Sequence, residues 1–271
     1  MSVTPKKAIV TGGAQGIGKA VSEKLLDNEC SVAILDVRKD LWDVVKSEWN
    51  EKFPRSEFYF VECDLLDRDK TLSAFEQTYS ILDGLDIVIN NAGIYDELNW
   101  ERCIDINFKA MMRVINIGIN LMSKDKGRNG GVIINSASVS GLGQFPVPAY
   151  GSTKHAITAL TRSLGTLPGF LKQHGVRINS VCLGYTETAI LKQDPFKQGN
   201  ALDDFPSVDS INMFRDEMLE RFPYQHMIPI ETAVKLYLQL INDQEVHGKN
   251  LFYVSSQQEK PKFHEYQGIS I

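Results

Sequence analysis

The sequence predicts an α/β protein with one doubly wound, seven-stranded parallel sheet and helices on both faces. Three observations carry this expectation. Seven short apolar runs alternate with longer segments of helical period, the runs show little in–out alternation, and a glycine-rich turn follows the first of them. A strand covered on both faces need not alternate, so continuous Val/Ile runs between helices mark parallel β-α units.

The first run, KKAIVTG (6–12), leads through the loop TGGAQGIG (11–18) into a helical segment near 16–28. SVAILD (31–36) precedes a segment near 39–52, and FYFVECD (58–64) precedes one near 67–82. LDIVINNAG (85–93) leads to a long segment near 102–124, and GGVIINSAS (130–138) to another near 148–174. RINSVCLG (177–184) and NLFYVSS (250–256) flank a helical segment near 229–243 and one long irregular connection, 185–228. That connection carries Pro195, Gly199, Pro206 and Pro223 and an amphipathic stretch, SINMFRDEMLERF (210–222). So long a connection inside a compact domain belongs to a lid or binding loop. The chain, 1–271, therefore reads as a single domain with a substrate-binding region at about 185–228.

Composition narrows the function classes. The 271 residues carry a formal net charge of -5, and the basic groupings are short and mixed in sign, so no nucleic-acid partner is expected. No run has the length of a membrane span, and the start, MSVTPKKAIV, has no apolar run of signal-peptide length. The four cysteines are scattered, with no C-x-x-C pair, which fits a reducing, cytoplasmic setting. The five histidines form no paired ligand spacing, so no metal site is expected.

Two motifs carry chemistry. In the loop after the first strand, Gly12, Gly16 and Gly18 let the backbone turn tightly and approach a pyrophosphate, which the following helix N-terminus stabilises. Gln15 and Ile17 complete that turn, and Asp36 ends the next strand about 20 residues on, as a dinucleotide-binding unit requires. Asp36 would accept hydrogen bonds from ribose hydroxyls and repel a 2′-phosphate, favouring NAD over NADP; Arg38 is the complication. The second motif, AYGSTKHA (149–156), puts Tyr150 and Lys154 one above the other on a helix face. Such a pair is either a catalytic acid/base unit or two polar residues facing water.

The spacing T-G-x-x-x-G-x-G (11–18) resembles the loop of the short-chain dehydrogenase/reductase family. Similar motifs follow in order: Asp64, Asn90-Asn91-Ala92-Gly93, Asn107, Ser138, then Tyr150 and Lys154. The chain is most similar to the branch of hydroxyprostaglandin dehydrogenase and insect-type alcohol dehydrogenases, through CDLLD (63–67), ELNWER (97–102), NSVCLGYTETAIL (179–191) and KFHEYQ (262–267). The resemblance implies a Rossmann fold, an NAD-dependent interconversion of an alcohol and its carbonyl, and assembly as a homodimer or homotetramer through segments 102–124 and 148–174. It makes Tyr150 the acid/base and has Ser138 hydrogen-bond the same substrate oxygen. Lys154 would hold the nicotinamide ribose and lower the Tyr150 pKa, and Asn107 would anchor a water behind the lysine. Asp64, Leu65, Asn91, Gly93, Thr186 and Thr188 would complete the cofactor contacts, and Phe145, Val147 and Tyr185 would line the substrate side.

The chemistry is consistent with those roles. A free phenol titrates near 10, so a base working near 7 must be shifted by about 3 units, roughly 4 kcal/mol. A nearby ammonium favours the phenolate.

The chain departs from the family pattern in three places. Ser138 and Tyr150 stand 12 residues apart, one fewer than is commonest, and Leu183 replaces a usual proline. Val147 stands where prostaglandin-oxidising relatives carry a polar residue, so with Phe145 and Pro146 it makes an apolar wall. An apolar terpenoid, fatty or lipid-like alcohol is therefore the expected substrate. The alternatives are a hydroxyprostaglandin, an NADP-dependent carbonyl reductase, and a catalytically silent dinucleotide-binding scaffold.

Overall fold

The computed structural model describes residues 5–143, 145, 147–188, 227–255 and 258–265. Eight strands form one sheet: β1 Lys7–Thr11, β2 Ser31–Asp36, β3 Phe58–Glu62, β4 Ile87–Asn90, β5 Gly131–Ser136, β6 Val176–Leu183, β7 Asn250–Tyr253 and β8 Lys262–Phe263. Their order is β3-β2-β1-β4-β5-β6-β7-β8. The first seven are parallel; β8 pairs antiparallel with β7.

The seven expected strands are therefore present, and β8 is an addition to the seven-stranded parallel sheet. Its two residues are too short a run to carry a hydrophobic period.

Helices α1 (Gly16–Asp27), α2 (Lys39–Lys52), α3 (Arg68–Leu82), α4 (Trp100–Ile104), α5 (Met111–Met122), α6 (Pro148–Thr166), α7 (Phe170–His174) and α8 (Ile230–Asn242) are among the described residues. Successive strand residues point to opposite faces. Ala8, Val10, Val32 and Ile34 pack with α1, α2 and α8 in one core. Ile9, Ala33, Leu35 and Val88 pack with α3, α5 and α6 in the other. Both cores are apolar, which explains why the strands read as unbroken hydrophobic runs.

Two long helical segments differ from expectation. The 102–124 segment contains a π-helical turn, Asp105–Ala110, between α4 and α5. The 148–174 segment breaks after Thr166, where Pro168 cannot continue the ladder and Gly169 takes a φ of 76° before α7. Most of 185–228, including the amphipathic stretch 210–222, lies outside the described residues.

The strand order reverses between β1 and β4. In an open α/β sheet the crevice beyond the strand C-termini at this switch point is where ligands bind.

Candidate active site

The glycine loop is built by close approach. Gly12 has a φ of +64°, and a Cβ there would stand 2.9 Å from Ala92 Cα. A Cβ on Gly18 would lie 2.3 Å from the Gly12 carbonyl oxygen and 2.6 Å from Asn91 Nδ2, so no other residue fits without moving backbone. Gly16 has a φ of +56°, and a Cβ there would meet, among the described residues, the Thr188 side chain at 3.7 Å. Gln15 caps α1 without a side-chain hydrogen bond, and no acid stands in the first turn. The helix therefore presents free N–H groups and its positive end, which suits a phosphate. Ile17, just inside α1, packs partly buried on the core.

Asp36 is buried at the end of β2. Its carboxylate accepts from Ala14 N and from Arg38 N, both at 3.0 Å. The Arg38 guanidinium turns to Asp40, at 2.8 and 2.7 Å. That pair is exposed, and such pairs stabilise little, so it orients Arg38 weakly.

Asn91 joins this half of the site to the next. Its amide donates to Thr11 O (3.2 Å) and Gly12 O (3.1 Å) and accepts from Ser136 Oγ at 3.2 Å. Its side chain is thus committed to holding the loop in place. Asp64 is exposed and accepts from Leu66 N at 2.9 Å, while Leu65 is buried and its carbonyl accepts from Arg113.

The four catalytic candidates converge beyond β4 and β5. Ser138 is buried just past the end of β5; its hydroxyl accepts from Ser140 Oγ at 2.9 Å and lies close enough to the Tyr150 phenol to shift it. Lys154 is buried, donates to Ser136 O at 2.8 Å, and places Nζ 5.2 Å from the Tyr150 ring centroid. Asn107 is fully buried in the π-helical turn. It donates to Ile94 O and accepts from Ile94 N, both at 2.8 Å, and reaches Thr153 Oγ1 at 3.3 Å. A Cβ on Gly93 would sit 3.2 Å from Asn107 Oδ1 and 3.7 Å from Lys154 Nζ, so the chain runs close to both groups here.

Loss of water around the Tyr150 phenol pushes it up to about 12, against the nearby Ser138 hydroxyl, which pulls it down. The same desolvation brings the Lys154 ammonium down to about 8. The protein alone therefore raises the phenol, where Lys154 was expected to lower it: loss of water outweighs the pull of the Ser138 hydroxyl.

Thr186 is buried, donates to Gly184 O at 3.1 Å and is bridged to Ile228; Thr188 donates to Thr186 O at 3.3 Å. Tyr185 lies near enough to Tyr150 to act on its phenol electrostatically. Phe145 and Val147 are half-buried on the approach to α6, and Leu183 packs into the core at the end of β6. Among the expected residues, the loop glycines with Asp36 and Asn91 form one group, and Asn107, Ser138, Tyr150 and Lys154 another.

Sequence reasoning missed several participants. Tyr95 lays its ring 4.9 Å from that of Tyr150. Glu97, buried, accepts from the N–H groups of Ala149 and Tyr150. Tyr237, fully buried on α8, shares a 2.7 Å hydrogen bond with Ser136 Oγ. None has a partner nearby in sequence, so no local pattern could have singled them out.

Comparison with known proteins agrees with this fold. The model of the family described as short chain dehydrogenase matches residues 6–198. A 15-hydroxyprostaglandin dehydrogenase [NAD(+)] of Macaca fascicularis is 33% identical over 251 residues, covering 92% of this chain and 90% of that protein. Alcohol dehydrogenase 2 of Ceratitis rosa is 31% identical over 192 residues, covering 70% of this chain and 73% of that protein. Among solved structures, a short-chain type dehydrogenase/reductase from Mycobacterium marinum superimposes with a TM-score of 0.75 at 25% identity, covering 93% of this chain and 95% of its own.

Proposed function

The chain belongs to the short chain dehydrogenase family, and on that footing we propose that it is an NAD-dependent alcohol dehydrogenase. It interconverts a secondary or primary alcohol and its carbonyl, on an apolar terpenoid, fatty or lipid-like substrate. The observation that carries this reading is that the buried Ser138 hydroxyl lies close enough to the Tyr150 phenol to shift it, with Lys154 Nζ 5.2 Å from the ring and an uncapped helix start at the glycine loop beside them.

The loop glycines, Asp36, Thr186 and Thr188 would hold the dinucleotide, and oxidised NAD supplies the hydride acceptor when bound. Tyr150 takes the hydroxyl proton of the alcohol as the carbonyl forms, and Ser138 donates a hydrogen bond to the same oxygen. The Lys154 ammonium favours the phenolate that this transfer requires. Asn107, held on the backbone of Ile94, keeps the space behind the lysine polar. Asp36, with Arg38 turned to Asp40, supports NAD over NADP.

The apolar substrate class follows from Phe145 and Val147 on the approach to Tyr150, with Tyr185 also near its phenol. Oxidation of a hydroxyprostaglandin is the second reading, favoured by the 33% identity to the Macaca fascicularis enzyme. We read the chain as one catalytic domain of a cytoplasmic homodimer or homotetramer. The four cysteines are buried free thiols, in keeping with a reducing compartment, and no helix among the described residues is long and apolar enough to cross a membrane.

The test is NAD reduction over secondary alcohols of graded size, from short alkanols to terpenols and hydroxylated lipids, with a hydroxyprostaglandin in the panel. We expect kcat/KM to rise with apolar size. Tyr150→Phe should lower kcat by about 10²–10⁴ while NAD binding persists. A Tyr150→Phe variant as active as the wild type overturns the reading.

A further inference from the structure

We propose that Glu97 is a positioning residue for the catalytic tyrosine: from the loop after β4 its carboxylate caps the N-terminus of α6 and sets where Tyr150 stands. This rests on the role of Tyr150 proposed above.

Every N-terminal donor of α6 can be accounted for. Helix starts leave their first N–H groups without intrahelical partners. Val147, at the cap position, has no side-chain acceptor, and Pro148, the first helical residue, has no N–H. The next two donors go to one side chain: Ala149 N to Glu97 Oε2 at 2.8 Å and Tyr150 N to Glu97 Oε1 at 2.9 Å. Gly151 N returns to Val147 O at 2.6 Å. A residue from another loop thus supplies the cap that the helix lacks locally, and its negative charge meets the positive end of the helix dipole.

The same loop meets α6 at two further points. Tyr95 packs on the Tyr150 ring at 4.9 Å. Ile94 holds Asn107, which reaches Thr153, and Thr153 Oγ1 in turn donates to Tyr150 O at 2.7 Å. Glu97 is 4% exposed, so water cannot replace it readily. Burial raises its carboxyl, and the two backbone donors draw it back down. Holding a catalytic group within a fraction of an ångström is where rate is gained or lost.

Glu97→Gln separates positioning from binding. Its amide oxygen can accept one of the two N–H groups, while its NH₂ faces the other. On an alcohol that the wild type oxidises, we expect kcat to fall about 10- to 100-fold, with KM for the alcohol and Kd for NAD within about twofold. Glu97→Asp, which keeps the charge on a shorter arm, should fall between; it also serves if the Gln variant does not fold. Hydrogen exchange without substrate or cofactor supplies the second readout. Backbone amides of 147–154 should exchange faster in Glu97→Gln, while those of the glycine loop stay as in the wild type. A variant with wild-type kcat, or one whose amides at 147–154 exchange at the wild-type rate, overturns the proposal. A wild type that binds NAD but oxidises no alcohol overturns the function instead; the exchange at 147–154 then still decides whether Glu97 holds the helix.

Discussion

The glycine-loop half and the tyrosine-bearing half of the candidate site are held together over different sequence distances. In the first, Asp36 closes on Ala14 across 22 residues, and Gly18 fits against Gly12 within one turn of chain. In the second, Glu97 reaches Tyr150 across 53 residues, and Ser136 reaches Tyr237 across 101. Asn91 spans both, gripping the loop carbonyls with its amide N and Ser136 with its amide O. Apart from the contacts of Gly12 with Ala92 and of Gly18 with Asn91, the first half is built within one β-α-β unit and is specified by residue types in a short window. A half assembled across the sheet depends on every strand register between its parts.

That contrast is sharpest at Gly18. Gly18→Ala puts a Cβ within 2.3 Å of a backbone oxygen that only a loop rearrangement can move. We expect loss of measurable NAD binding and a fall in Tm of about 6 °C or more, on the scale of about 2–4 °C per kcal/mol. Calorimetric titration and a thermal melt check this; unchanged NAD affinity would mean that the loop is not the tight local unit described.

Asp36→Asn probes the same half by charge. One oxygen still accepts, but the NH₂ opposes the second backbone donor, and a 2′-phosphate no longer meets a carboxylate. The ratio of kcat/KM with NAD to that with NADP should fall by about 10-fold or more.

Ser136→Ala tests the non-local half. It leaves the fully buried Tyr237 hydroxyl without its 2.7 Å partner, at a cost of about 1–3 kcal/mol. Chemical denaturation should find Ser136→Ala less stable than Tyr237→Phe, in which Ser136 keeps Asn91 as an acceptor. The reverse order would break the network.

The smallest effect is a pH dependence. Burial holds the Lys154 ammonium at about 8, below its ordinary 10.5. Between those values the unfolded chain binds a proton that the folded chain has released, so Lys154 makes the folded state more stable as pH rises through that window. Tyr150, held at about 12 against an ordinary 10.0, acts oppositely: above pH 10 the folded chain keeps a proton that the unfolded chain loses. In the cofactor-free protein, Lys154→Met should therefore compare more favourably with wild type at pH 7.5 than at pH 10. A stability difference that is flat between these two values counts against the lowered lysine.

The fold was legible because strands buried on both faces leave a period that needs no knowledge of their partners. Pro168 and Gly169 were visible breakers, yet the helical pattern on either side ran across them. The π-helical turn that seats Asn107 left no such mark, since it answers to the backbone of Ile94 and to Thr153.

By itself the sequence determined the α/β class, the glycine loop with Asp36, and the helical spacing of Tyr150 and Lys154. Each depends on backbone angles or periods set within a few residues. Only the tertiary structure decided that Glu97 accepts from the first N–H groups of α6, that Tyr95 lies on the Tyr150 ring, and that Asn91 holds the loop. It also decided the direction of the Tyr150 and Lys154 shifts. Desolvation is a property of everything packed around a group, and no window of sequence contains it.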